Sequence, residues 1–234
     1  MIVRPAAGSL HLITQPDHAA LARRIMEHSR PLRDAARRES IRLAIGEHDN
    51  GWREVDDAPS ADAATGRVLD FITLPLGERQ GVWPRGIGRL AGRDRWAAAL
   101  VAHHAAFVYD RFRPDSAWTR FFSDMEAARA EHVAASGLGL DQLLQDYVHL
   151  RLGDLISLVF CTRTSDTVVH DGWSIRLESD RVLVTPDLFD GEDVGFTIEA
   201  REIAEMPYRG DTALREAVQA ARSVTLKGSV GTRP

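Results

Sequence analysis

Four residues carry the chemistry this chain is best equipped for: His18, the adjacent pair His48-Asp49, and Asp154. The apolar spacing around each sets it on the buried side of its own helix. A carboxylate in such a place is unfavourable by several kilocalories per mole unless a charge partner or a metal compensates it. Two imidazoles and two carboxylates converging in one core would form a divalent-metal site. Donors of this kind suit Mn, Fe, Co, Ni or Zn and discriminate weakly among them. Such an ion lowers the pKa of a bound water from 15.7 toward ~7 and polarises a phosphoryl oxygen. Each residue also has a structural alternative. His18 could lie on the surface at a helix start, Asp49 could serve the Asn50-Gly51 turn, and Asp154 could pair with a buried arginine.

The elements that must position these side chains are legible in outline. Ile2-Val3-Arg4 and Leu10 to Ile13 flank Ala6-Ala7-Gly8, a hairpin pattern. Thr14 and Asp17 form a capping box for a helix whose stripe is His18, Leu21, Ala22, Ile25 and Met26. A second helix, from about 34 to 47, carries Ile41, Ala44 and Ile45, and His48 continues that line before the Asn50-Gly51 turn. Residues 53 to 93 are rich in Gly, Pro and Asp and read as a long loop region with short helices. Asp94 caps a helix to about 112, followed by helices over 116–135 and 140–161, the last of which carries Asp154. After Arg163 the period changes to two. Strands are expected at 173–178, 181–185 and 196–200, then a short helix at 212–221 and a polar tail.

Other residues complete the expected site. Arg85 and Arg151 could bind substrate by neutralising charge on a phosphoryl group, with surface or structural salt-bridging as the competing reading. His103 and His104 point about 100° apart on their helix, so one of them at most faces the site. Cys161 lies in an apolar run and reads as a packing residue.

The ordered set His18, His48-Asp49, Asp154 resembles the signature of the HD-domain superfamily, helical proteins that are mostly metal-dependent phosphohydrolases. His18 matches the first-helix histidine, His48-Asp49 the pair at a helix end, and Asp154, within Gly153-Asp154-Leu155-Ile156-Ser157-Leu158, the terminal aspartate. The segment Glu47 to Trp52 is similar to one that recurs in an uncharacterised bacterial HD-like family. This resemblance covers roughly residues 10 to 165. It implies His18, His48, Asp49 and Asp154 as metal ligands, Asp49 also as a catalytic group, and His104 as the histidine that faces substrate. Glu54 and Asp57 resemble the acidic residues that assist water activation in HD nucleotidases, although Glu54 falls two positions late. The Gly-Lys that often follows the pair in cyclic-dinucleotide phosphodiesterases is absent.

The expected fold is therefore mainly α: one domain over 1–234, with an HD-like bundle over 14–163. Residues 1–13 and 164–234 are expected to form a small antiparallel β appendage with a short C-terminal helix. The expected function is hydrolysis of a small phosphate ester by metal-activated water. An HD-fold di-iron oxygenase and a non-catalytic metal- or nucleotide-binding regulator are the alternatives. At 234 residues, 44% hydrophobic and 27% charged, the chain has an ordinary globular composition. Its formal charge of −5 and the lack of any Lys/Arg stripe argue against a nucleic-acid partner. No apolar run approaches the roughly 20 residues of a membrane span, and no signal peptide is visible, so the expected location is cytoplasmic. The expected partner is a small phosphorylated substrate.

Overall fold

The computed structural model describes residues 1–232. β1 (Ile2–Ala6) and β2 (Ser9–Ile13) form an antiparallel hairpin whose turn uses Gly8 at a φ of 74°. The Thr14 hydroxyl then accepts from the Asp17 N–H at 3.1 Å and caps α1 (Gln15–Met26). α2 (Arg30–Arg33), α3 (Arg38–Glu47) and α4 (Arg53–Asp57) follow, with a tight helical turn at Asn50–Trp52 between the last two. α5 (Leu76–Ala91) leads to α6 (Arg95–Val108), which opens where Asp94 accepts from the Ala97 N–H at 2.9 Å. α7 (Thr119–Ser136) and α8 (Leu140–Thr162) complete the bundle. Beyond them lie β3 (Val168–His170), β4 (Trp173–Glu178), β5 (Arg181–Thr185), β6 (Val194–Ala204), α9 (Gly210–Ala220) and β7 (Arg222–Gly231).

A small antiparallel sheet beside a mainly α bundle does not form. Instead, seven strands join in one mixed, curled sheet in the order β1-β2-β6-β7-β5-β4-β3. β7 occupies its middle, antiparallel to β6 from Glu202↔Arg222 to Val194↔Val230 and parallel to β5. Charge hides β7 in the sequence. Arg222, Ser223, Thr225 and Lys227 give the segment a polar reading, while Val224, Leu226 and Val230 alternate with them at period two. The N-terminal hairpin joins the same sheet through β2 and β6, with Leu12 opposite Arg201.

The region read as a loop contains the 16-residue α5, which has Pro84 inside it. Its glycines and proline lower helix propensity, but Val82, Trp83, Gly86, Ile87 and Leu90 recur at helical spacing and are buried. Packing against α6 and the Asn50–Trp52 turn outweighs local preference. Among the described residues, no helix is long and apolar enough to cross a membrane.

α8 connects the bundle to the sheet. It is apolar nearly all round and touches α1, α3 and α6 as well as β1, β4 and β5. Gly153 permits a close crossing: a Cβ there would sit 2.9 Å from Met26 Cγ and 3.2 Å from Ile45 Cγ2. A second close approach lies at Gly51, where an added Cβ would fall 1.9 Å from the Val82 carbonyl oxygen. That neighbour is backbone and cannot rotate away. Gly51→Ala is therefore expected to separate the Asn50–Trp52 turn from α5 and to lower the unfolding free energy by about 3 kcal/mol. A denaturant titration against the wild-type chain reads this directly.

Candidate metal centre

Four elements deliver the site. His18 comes from the first turn of α1, His48 ends α3 with Asp49 next to it, His104 lies on α6 and Asp154 on α8. All five are buried, with His18 completely so. His18 Nε2 stands 3.2 Å from His48 Nε2, 3.3 Å from Asp154 Oδ1 and 3.6 Å from Asp49 Oδ2. His48 Nε2 stands 3.4 Å from Asp49 Oδ2 and 3.6 Å from Asp154 Oδ1. Donors bound at about 2.1 Å to one cation lie about 3.4 Å apart at tetrahedral angles and about 3.0 Å apart at octahedral ones. The observed spacings are those of atoms arranged around a single ion. These buried histidines and aspartates can hold a metal ion.

The outer nitrogens support the same conclusion. His48 Nδ1 lies 2.8 Å from the Ile45 carbonyl oxygen, which can only accept, so Nδ1 carries hydrogen and Nε2 is the nitrogen that can offer a lone pair to an ion once any proton on it is lost. Ser157 Oγ donates to a carbonyl of its own helix, Gly153 at 2.9 Å or Asp154 at 3.0 Å. Its lone pair then accepts from His18 Nδ1 at 2.8 Å, and His18 also presents Nε2 inward. Asp154 divides its oxygens: Oδ1 faces the two imidazoles, while Oδ2 accepts from Arg151 at 2.6 Å.

Charge within the cluster is tightly coupled. Burial raises the Asp49 carboxyl above its usual range. Burial acts the same way on Asp154, but hydrogen bonds from His18 and His48 outweigh it and hold that carboxyl well below the usual range. Burial disfavours a charged His48, yet Asp49 and Asp154 overcome this and push the imidazole up to about 9. His104, buried and farther from the carboxylates, is driven well below its ordinary value. It is the member of its pair that faces the centre, with Nε2 3.8 Å from Asp154 Oδ2 and Nδ1 3.0 Å from the Tyr147 hydroxyl. His103 turns instead toward Arg129, 3.1 Å away.

The centre opens into a cleft of about 280 Å³, whose lining includes His18, Asp49, His104, Arg151 and Asp154. Trp52, Trp83, Tyr109 and Phe71 supply aromatic walls, and Arg79 and Arg111 supply cations. Glu54, Asp57 and Arg85 do not line it. Glu54 is exposed on α4, where Arg89 and Arg85 engage its carboxylate, and Asp57 is exposed at the end of that helix. Arg85 bonds the Gly51 carbonyl at 3.2 Å. The turn that buries His48 and Asp49 sends α4 outward, so the roles expected of these three residues have no geometric support. Ser157, Arg79 and Arg111 were not singled out by the sequence. Ser157 could have been found from its place three residues after Asp154 on the same helix face. Arg79 lay within the stretch read as loop.

Two outcomes follow for the centre. At neutral pH the ion-free cluster keeps a proton on His48, because that imidazole is raised to about 9. Metal must expel this proton, so the apparent affinity for Zn or Co should climb as pH rises from 6 to 9, with proton release visible by calorimetry in two buffers. Ser157→Ala removes the acceptor of His18 Nδ1 and should weaken metal binding by roughly 10- to 100-fold, as measured by competition with a chelator.

Neither the curated proteins nor the solved structures hold a match to this chain. A family model described as a protein of unknown function (DUF3891) matches residues 1–205, a span that takes in the helical bundle, all five residues of the candidate metal centre and every strand except β7. The chain belongs to that family.

Proposed function

We propose that this protein is a metal-dependent hydrolase of phosphate esters, working from an HD-like His18, His48, Asp49, Asp154 quartet with a divalent first-row ion. The observation that carries the reading is the convergence of those four donors, from two helices and the end of a third, beside a cleft that three of them line together with arginines. When bound there, the ion supplies Lewis-acid polarisation of a phosphoryl oxygen and lowers the pKa of water. The residues of the chain do the rest. Ser157 and the Ile45 carbonyl keep the two imidazoles in register. Arg151 holds Asp154 Oδ2, so that one oxygen of the carboxylate faces inward, and its guanidinium borders the space where a phosphoryl group would sit. Asp49 lines the same space and takes the proton of the attacking water. The water oxygen bonds to phosphorus and the ester P–O bond breaks. Its electron pair leaves on the departing oxygen, which is protonated by solvent at the cleft mouth.

A second reading, a di-iron oxygenase, is favoured by one observation: His48, His104 and Asp154 make a second group of buried donors sharing two residues with the quartet. Iron reconstitution separates the two. Two irons per chain with a visible-range charge-transfer band would support the oxygenase, whereas one ion per chain supports the hydrolase.

The decisive test replaces Asp154 with Asn, which keeps the side chain's shape, and measures metal per chain by elemental analysis beside hydrolysis of a phosphate-ester panel with several divalent ions. Metal content should fall close to zero and hydrolysis by at least about a thousandfold, the scale lost when a principal electrostatic group is removed. A variant that keeps its full metal complement would overturn the assignment.

A further inference from the structure

Of the three arginines on the cleft, only Arg151 has an acidic partner, at 2.6 Å on Asp154. Among the described residues, no carboxylate oxygen comes within 4.0 Å of Arg79 or Arg111. Arg79, from α5, is half-buried with its guanidinium 5.7 Å from the Trp118 ring, and its Nε is buried without a hydrogen-bond partner. Arg111 is exposed and stacks on Phe112 at 4.7 Å. Both share the cleft lining with Tyr109, whose phenol burial pushes up to about 12. The Trp52 indole N–H, 2% exposed and also unpartnered, lines the same cleft.

These donors face an excess of positive charge. Two carboxylates and three guanidiniums line the cleft, and a divalent ion at the quartet adds to the cationic side. One phosphate dianion cannot cancel what remains. A half-buried guanidinium with an unsatisfied N–H is itself costly, and an anion meeting it in planar, paired fashion removes that cost.

We propose that Arg79 and Arg111, with the Trp52 N–H, form a second anion subsite, and that the ligand is a compact phosphate ester carrying a further carboxylate or phosphate away from the reacting group. This rests on the phosphohydrolase reading for the first phosphate. The volume, about 280 Å³, lies just under the usual range for ligand pockets and suits a molecule of a few carbons rather than a dinucleotide.

Calorimetry on the metal-loaded full chain tests it with three ligands of one length: glycerol 3-phosphate, 3-phosphoglycerate and propane-1,3-diol bisphosphate. The last two should bind at least about tenfold more tightly than the first. Which of them leads identifies the second group. Arg111→Gln, which removes only an exposed charge, and Arg79→Gln should each erase most of that advantage while leaving glycerol 3-phosphate and metal content unchanged. Arg79→Lys should restore part of it. Equal affinity for all three ligands, or an advantage that survives both Gln variants, overturns the subsite alone. If none of the three binds a chain that holds its metal, the phosphohydrolase reading falls and takes the subsite with it.

Discussion

Asp154 sits at 3% exposure on a helix wedged between a bundle and a sheet, and the cost of burying that charge organises much of its surroundings. It is met by His18 and His48 on one oxygen and by Arg151 on the other. Each of those partners must be aimed, and each is: Ser157 turns His18, the Ile45 carbonyl turns His48, and Phe107 lies 5.4 Å under the Arg151 guanidinium. Gly153, the residue before the aspartate, lets α8 come near enough to α1 and α3 for these contacts to exist. A larger residue at 153 would press on Met26 and Ile45 before it touched any ligand.

Much of this was legible from the pattern of residues. His18, His48 and Asp154 stand out because polar side chains continue apolar stripes, and burial of a polar group demands a reason. The caps at Thr14 and Asp94 and the β4–β5 hairpin around Ser179-Asp180 follow from local chemistry that needs no tertiary information. The parts that were hidden depend on distant partners. β7 carries its apolar residues between charges, and only its place between β6 and β5 makes it a strand. α5 contains a proline, and its helical state is secured by a buried face against α6. The positions of Glu54 and Arg85 could not be read from their distance to His48, because the turn at Asn50–Trp52 redirects the chain immediately after the ligands.

The cleft also shows how charge is apportioned in a chain whose cations are nearly all arginine. Most guanidiniums near carboxylates are committed, as Arg37 is to Asp146 at 2.5 Å and Arg33 to Asp190 at 2.5 Å. The exposed Arg33–Asp190 pair contributes little to stability, whereas Asp146 is buried and also accepts from the Trp96 indole. Both pairs consume charge, however, whereas Arg79 and Arg111 meet no carboxylate among the described residues beside the buried His/Asp cluster. The thiol of Cys161, pushed up to about 12 by burial, is likewise kept out of any reactive role.

β7 has a consequence for the order of events during synthesis. The middle strand of the sheet is also the last of its seven strands in chain order. His11 on β2 meets Glu202 on β6 across 191 residues, and β5 has no neighbour on its β7 side until residues 222–231 emerge. The helices of the bundle all lie before residue 163, so they can pack together before β7 is made, whereas the sheet cannot close until it is.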